Sequence, residues 1–196
     1  MPTKYRLALF ASGSGTNAEE IFRYFKNHPT IHPVLLLSNN PEAYALTRAA
    51  NHGIEARVFS RQELSDGMVL AYLQNANITH LILAGFLWLM PGSILKSYEG
   101  KVVNIHPALL PAFGGKGMYG MRVHQAVKES GATETGITVH EVNEQYDEGK
   151  IIFQAKCAVS PEDTPENIAK KVHELEYLYF SKVIESCIEH IPLKTV

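Results

Sequence analysis

The chain has 196 residues, of which 45% are hydrophobic and 19% are charged, and its formal net charge is −2 at pH 7. These values suit one globular domain with an ordinary apolar core. The small negative charge argues against a broad surface for nucleic acid or for an anionic membrane, so we expect neither kind of partner.

The N-terminal residues do not combine a basic start, an apolar core and a small-residue cleavage site, and no apolar run reaches the roughly 18 residues that a membrane span needs. The only cysteines are Cys157 and Cys187, and neither has a neighbour at metal-ligand spacing. We interpret them as reduced, mostly buried thiols. Together these features predict a cytoplasmic protein.

Short apolar runs alternate with helical patterns through the first half of the chain. The predicted strands are 6–11, 34–37, 56–59, 81–84 and 102–105. The first helix follows a Gly/Ser-rich turn and places Ile21 and Phe25 on one face. The second is predicted to open at Asn40-Pro41 and to end near Gly53, and Ser60 is predicted to cap the third.

The second half has a different pattern. Residues 107–120 are rich in Gly and Pro and fit no regular element, and 122–130 predicts a short helix. Two strands, 135–142 and 151–159, precede a final helix over 165–189. Strands that are apolar at every position, alternating with helices, indicate a buried parallel sheet. We predict a single α/β domain over 1–196, with a Rossmann-like, three-layer architecture of about seven mostly parallel strands and helices on both faces.

The turn after the first strand has the sequence Gly13-Ser14-Gly15-Thr16-Asn17. Glycines let backbone N–H groups approach an anion, and the following helix N-terminus favours negative charge, so this loop predicts a phosphate site. The glycine spacing also fits a nicotinamide-dinucleotide fingerprint, but Ser38-Asn39-Asn40 lacks the acidic residue expected after the second strand. A plain glycine-rich turn is the remaining alternative.

Asn104 and His106 follow an apolar strand and precede Pro107, in the segment Asn-Ile-His-Pro-Ala-Leu-Leu-Pro. Two residues apart on an extended chain, the amide and the imidazole point to the same side. A hydrogen-bond donor beside a proton shuttle is what the transfer of a carbonyl group needs. The alternative interpretation is a strand that ends in a proline-rich turn with an incidental histidine.

The segment at 104–111 resembles the formyltransferases that use 10-formyltetrahydrofolate, and within them the glycinamide ribonucleotide transformylase family. The resemblance extends over residues 5 to about 185. It is carried by Ala-Ser-Gly-Ser-Gly-Thr-Asn at 11–17, Leu-Ala-Gly-Phe at 83–86, Thr-Val-His at 138–140, Tyr-Asp-Glu-Gly at 146–149 and Val-His-Glu-Leu-Glu at 172–176.

The resemblance implies that a formyl group passes from 10-formyltetrahydrofolate, the co-substrate, to the amine of 5′-phosphoribosylglycinamide in purine biosynthesis, with no metal and as a monomer or homodimer. It implies a nucleotide-binding half at about 1–100 and a catalytic and folate-binding half at about 101–196. The implied catalytic residues are Asn104, His106 and Asp147, and Glu148 is the wrong carboxylate. The residues implied for phosphate are Gly13, Gly15, Thr16 and Asn17; those for folate are Leu87, Trp88, Leu89, Asn104 and His140; those for the glycinamide are Glu176 and Pro107.

Several alternatives stay open at these positions. Asp147 can be a solvated loop carboxylate, His140 a hydrogen-bonded core histidine and Glu176 a solvated helical residue. Trp88 stands where many relatives have a basic residue, and it can stack on folate or face solvent. His124 aligns with a family histidine near the site. The loop at 112–120, with Lys116, can be a lid or a plain connection.

Other acceptors are possible within the same chemistry, such as a sugar nucleotide or an aminoacyl-tRNA. The tRNA enzymes carry a second, basic C-terminal domain, whereas this chain ends at Val196 with a mild negative charge. We therefore expect a small-molecule acceptor. A nicotinamide-dependent oxidoreductase is the less favoured alternative from another reaction class.

Overall fold

A computed structural model describes residues 4–193 of the chain. The strands are β1 (Tyr5–Phe10), β2 (Ile31–Ser38), β3 (Glu55–Val58), β4 (His80–Leu83), β5 (Val102–His106), β6 (Glu134–Glu141) and β7 (Ile151–Ala158). The helices are α1 (Thr16–Phe25), α2 (Tyr44–Asn51), α3 (Arg61–Ser65), α4 (Met68–Asn75), α5 (Gly92–Ser97), α6 (Met121–Glu129) and α7 (Pro165–Glu189). The strands form one sheet in the order β3-β2-β1-β4-β5-β6-β7. The predicted α/β class with a mostly parallel seven-stranded sheet is confirmed.

The chain divides into two compact units, Met1–Val103 and Asn104–Val196. In the first unit, β1 pairs in parallel with β2 on one side and with β4 on the other. The last four residues of β1 are fully buried, which explains why this strand is apolar at successive positions. The carboxyl ends of β1 and β4 lie side by side where the strand order reverses, which is the usual place for a ligand in such a sheet.

Two elements in the first unit begin three or more residues from their predicted starts. Helix α2 begins at Tyr44 and not at Asn40-Pro41, because Asn40 Oδ1 accepts a hydrogen bond from Glu42 N and holds a turn there. Strand β2 begins three residues before the predicted Val34 and contains Pro33. A register shift between Leu7 and Ala8 accommodates that proline, as bulges commonly do.

The predicted cap at Ser60 is confirmed. Its side chain accepts from Glu63 N, and the Glu63 carboxylate accepts from Ser60 N, which together form a capping box for α3. The helix that follows is interrupted at Gly67, whose φ of 90° lies in the left-handed region, so α3 and α4 are separate elements.

The second unit is built on the antiparallel pair of β6 and β7, against which α7 packs. A register shift at Val139/His140 marks a bulge in this pair. Gly136 permits the close pairing, because a Cβ there would lie 1.8 Å from the Ala155 carbonyl oxygen. Residues 107–120 contain neither helix nor strand, as predicted.

Candidate functional site

The glycine loop lies between β1 and α1 and is packed closely against α2. Gly15 is the N-cap of α1 with φ 73°, and a Cβ on it would lie 2.5 Å from Ala45 Cβ. Gly13 has open space around it. Thr16 and Asn17 begin α1, whose first N–H groups lack acceptors within the helix. All four predicted phosphate residues therefore stand at a helix N-terminus, where a phosphate binds favourably.

Ser12 joins this loop to the segment that follows β4. Its hydroxyl donates to Asn39 Oδ1 at 2.6 Å and accepts from Leu87 N at 3.1 Å. The Ser12 N–H donates to the Gly85 carbonyl at 3.0 Å. Within the first unit, the predicted phosphate loop and the predicted folate segment are thus fixed to each other through one residue.

The folate segment exposes Leu87 and Leu89, while Trp88 is half-buried. The Trp88 ring packs edge-on against Phe59, with ring centres 6.1 Å apart, and the Arg61 guanidinium lies 4.3 Å from its centre. Trp88 is therefore neither a free solvent-facing ring nor a simple core residue. Sequence analysis did not identify Arg61, which lies 27 positions before Trp88 in the chain.

In the second unit, Asn104 and His106 lie on β5 and His140 lies on β6. His140 Nδ1 is 2.7 Å from the Glu141 carbonyl oxygen, which can only accept, so Nδ1 carries the hydrogen. In the neutral ring, Nε2 then accepts from Asn104 Nδ2 at 3.0 Å. His140 is thus the buried, hydrogen-bonded histidine of the alternative interpretation, and it also orients the Asn104 amide.

Asp147 faces both imidazoles from the loop between β6 and β7. Its Oδ2 is 3.5 Å from His106 Nδ1 and its Oδ1 is 3.7 Å from His140 Nε2, with only 11% of its side chain exposed. The interpretation as a solvated carboxylate is wrong. Glu148, by contrast, is exposed. The structure therefore brings the predicted residues Asn104, His106, His140 and Asp147 together.

The loop at 112–120 supplies two backbone groups that sequence analysis missed. The Phe113 carbonyl lies 2.8 Å from His106 Nε2, and Gly115 N donates to Asp147 Oδ2 at 2.9 Å. A Cβ on Gly114 would lie 2.5 Å from Leu110 Cδ2 and 3.2 Å from Asp147 Cβ. The only advance signal was the run of glycines, which permits such an approach. Lys116 is exposed.

The electrostatics of the centre favour a neutral imidazole beside an ionised carboxylate. Burial lowers the pKa of His106 below its ordinary value, although Asp147 and the Phe113 carbonyl oppose this shift. Burial by itself raises the pKa of Asp147, but His140, His106 and the Gly115 N–H more than offset that and lower it. When His106 is protonated, its Nε2 faces the Phe113 carbonyl and its Nδ1 faces the Asp147 carboxylate. His106 can therefore take up a proton in this site.

The second unit also contains the predicted residues Pro107 and Glu176 and the aligned His124. Pro107 directly follows β5, and Glu176 lies on α7 with 6% of its surface exposed, so the interpretation as a solvated helical residue is wrong. His124 on α6 is also buried and packs edge-on against His173 of α7, with ring centres 6.3 Å apart.

Both cysteines are free and partly buried, and burial raises the pKa of each thiol.

Within residues 4–193, none of the helices combines the length and apolar character that crossing a membrane would require.

Residues 5–184 match the family model described as formyl transferase. The chain belongs to the formyl transferase family. It is 40% identical over 198 residues to the chloroplastic phosphoribosylglycinamide formyltransferase of Arabidopsis thaliana, covering 97% of this chain and 68% of that protein. It is 33% identical over 186 residues to the phosphoribosylglycinamide formyltransferase of Haemophilus influenzae, covering 92% and 85% of the two chains.

The crystal structure of phosphoribosylglycinamide formyltransferase from Anaplasma phagocytophilum has the same fold as this family member. The TM-score is 0.86 at 29% identity, and the match covers 96% of this chain and 89% of that one. The sheet and its flanking helices are therefore those of the formyl transferase fold.

We predict that alanine at the two glycines of the loop in this formyl transferase lowers the free energy of unfolding by different amounts. Gly15→Ala places a Cβ against Ala45 at a left-handed backbone position, so unfolding free energy should fall by more than about 2 kcal/mol. Gly13→Ala meets no neighbouring atom and should cost less than about 1 kcal/mol. Urea unfolding measures both, and equal losses would contradict the packing described.

The buried His124 predicts a loss of stability in mild acid. Burial, and secondarily the neighbouring His173 and His106, lowers the pKa of His124 from 6.5 to about 4. The unfolded chain therefore binds this proton first. The stabilisation is complete above pH 6.5 and declines as the pH falls through 6.5 towards the folded value.

Urea titrations at pH 7 and pH 5 should show wild-type stability falling by about 1–2 kcal/mol from this residue. His124→Gln should have a flatter dependence over the same interval. An unchanged slope in the variant would exclude His124 as the source.

Proposed function

We propose that this chain transfers the formyl group of 10-formyltetrahydrofolate to the amine of 5′-phosphoribosylglycinamide, giving formylglycinamide ribonucleotide and tetrahydrofolate in purine biosynthesis. The observation that carries the proposal is the pair of imidazoles, His106 and His140, that faces the Asp147 carboxylate, with the Asn104 amide bonded to His140. The chain's similarity to phosphoribosylglycinamide formyltransferases supports this choice of acceptor.

Asn104 and His106 have the chemistry that the reacting carbon requires. Attack of the amine turns the formyl oxygen into an oxyanion, and the Asn104 amide has a second N–H besides the one directed at His140. A donor placed on such an oxygen typically contributes about 10²–10³ in rate. We assign that role to Asn104, with His140 as the residue that orients it.

His106 is the proton carrier in this proposal. It takes the proton from the attacking amine and passes it to the departing folate nitrogen. As an imidazolium it donates to the Phe113 carbonyl through Nε2 and faces Asp147 through Nδ1, so the added charge is compensated in a buried place. Asp147 therefore makes proton uptake by His106 possible without becoming protonated itself.

The remaining roles follow the positions of the side chains. The loop Gly13, Gly15, Thr16 and Asn17 binds the ribonucleotide phosphate, and Glu176 with Pro107 contacts the glycinamide. Leu87, Trp88 and Leu89 contact the folate, whose flat ring faces suit the two exposed leucines. The side chains of Asn39 and Asn40 both form hydrogen bonds with Ser12. The segment after β2 therefore presents two amides at the place where a dinucleotide-binding enzyme has an acidic residue for the ribose, which disfavours the oxidoreductase alternative. We further propose a metal-independent reaction in the cytoplasm, by a monomer or homodimer.

The direct test is an assay with purified wild type, glycinamide ribonucleotide and 10-formyltetrahydrofolate. We expect steady formation of tetrahydrofolate, and His106→Ala should lower kcat by about 10²–10⁴ because the proton carrier is lost. The Kd for the ribonucleotide should change less than about threefold, since His106 serves proton transfer and not phosphate binding.

His32→Ala, which removes an imidazole from β2 in the other unit, is the control and should keep wild-type turnover. Absence of turnover with the ribonucleotide, or formylation of an amino sugar nucleotide or aminoacyl-tRNA in its place, would overturn the proposed acceptor.

A further inference from the structure

The glycine loop is held by one short segment of the chain. Three consecutive carbonyl groups of the loop each accept a hydrogen bond from residues at 40–48. The pairs are Ser12 O with Asn40 Nδ2 at 3.2 Å, Gly13 O with Ala45 N at 3.1 Å and Ser14 O with Arg48 Nε at 2.9 Å. Every one of these donors comes from the turn before α2 or from α2 itself.

These bonds determine which way the loop's N–H groups point. In a planar trans peptide the C=O and N–H of one unit point in opposite directions. Because the carbonyls of 12–14 point towards the segment at 40–48, the N–H groups of Gly13, Ser14 and Gly15 point away from it. Successive N–H groups with a common direction form an anion-binding concavity, and here it adjoins the N-terminus of α1.

Arg48 contributes little as a free positive charge. Its Nη1 is paired with Glu19 Oε2, and Glu19 Oε1 also lies 3.5 Å from His52 Nε2. Glu19 belongs to the first turns of α1, so its charge would otherwise disfavour an anion at that end of the helix. Arg48 thus pairs with a carboxylate that Arg23 also contacts, since Arg23 Nη2 lies 3.2 Å from Glu19 Oε1, and it holds the Ser14 carbonyl at the same time.

We propose that Asn40 and Arg48 are positioning residues for the phosphate of the ribonucleotide, which act by fixing the direction of the loop's carbonyl groups. This inference rests on the proposed function of the loop at 13–17. It assigns a role to two residues that the glycine pattern itself does not include. It also explains why an amide, and not an acid, follows β2, since only the amide can donate to the Ser12 carbonyl.

The test uses Arg48→Met and Asn40→Asp. Asn40→Asp keeps an oxygen to accept from Glu42 N but loses the donor to Ser12. For each variant we expect KM for glycinamide ribonucleotide to rise about 10-fold, the usual effect of losing a hydrogen bond of this kind. The KM for 10-formyltetrahydrofolate and kcat should change less than about threefold.

Arg57→Met is the matched control, because it removes the same charge from the same unit. Arg57 pairs with Glu55 at 2.9 Å on β3, away from the loop's hydrogen bonds. It should leave both KM values unchanged. The rise in KM caused by Arg48→Met should persist in 0.5 M KCl, where the Debye length is roughly 4 Å. Salt screens the attraction between charges, but it does not restore a lost hydrogen bond that orients the loop. Arg48→Lys should recover part of the loss.

Direct binding of ribose 5-phosphate, measured by calorimetry, separates this inference from the proposed function. Weaker binding to Arg48→Met and Asn40→Asp than to wild type and Arg57→Met supports the inference, even if wild type fails to formylate the ribonucleotide. Turnover by wild type with ribonucleotide KM values equal in all variants overturns the inference and leaves the proposed function standing. Equal losses for both substrates with a lowered Tm would also overturn it, because they indicate a general loss of folding.

Discussion

One partly buried carboxylate, that of Asp147, organises the second unit of this protein. Asp147 faces His106 and His140 at 3.5 and 3.7 Å and accepts from Gly115 N at 2.9 Å. A charge that is largely removed from water must be compensated by neighbouring donors, or the group becomes neutral. Here Gly115 N–H is the donor to Oδ2, and His106 Nδ1, which faces the same oxygen, becomes a second donor when the ring is protonated. The same interaction therefore keeps Asp147 ionised and prepares His106 to accept a proton.

The glycines around this carboxylate make the arrangement possible. A Cβ on Gly114 would lie only 3.2 Å from Asp147 Cβ, and a Cβ on Gly149 would lie 1.6 Å from the Glu141 carbonyl oxygen. Asp147 itself has φ 59°, a left-handed conformation that aspartate tolerates better than most residues. Two loops, before α6 and between β6 and β7, thus enclose one acid by close backbone contact. The first loop supplies the Phe113 carbonyl and the Gly115 N–H, and the second supplies the Asp147 carboxylate; a regular helix or strand would use such backbone groups in its own hydrogen bonds.

The sequence pattern predicted the sheet, Asn104 and His106, because apolar runs and the Asn-x-His spacing depend on local geometry, whereas His140 and Asp147 were implied by the resemblance. The resemblance implied a role for Asp147 but not its position between two imidazoles, since an isolated loop carboxylate gives no local signal. Backbone partners such as the Phe113 carbonyl were not predictable, because a carbonyl carries no side-chain signature. The start of α2 was placed wrongly because Pro41 suits a turn as well as a helix start. Arg48, far along the chain from the loop it holds, gave no pattern to detect.

The most direct measurement of the central claim compares kcat of Asp147→Asn with that of Glu148→Gln, the adjacent exposed carboxylate. The amide keeps the size of the side chain but removes the charge that faces both imidazoles. We expect Asp147→Asn to lower kcat by about 10² or more with the Kd for the ribonucleotide nearly unchanged, while Glu148→Gln retains wild-type turnover. Wild-type kcat in Asp147→Asn, or a comparable loss in Glu148→Gln, would contradict that claim.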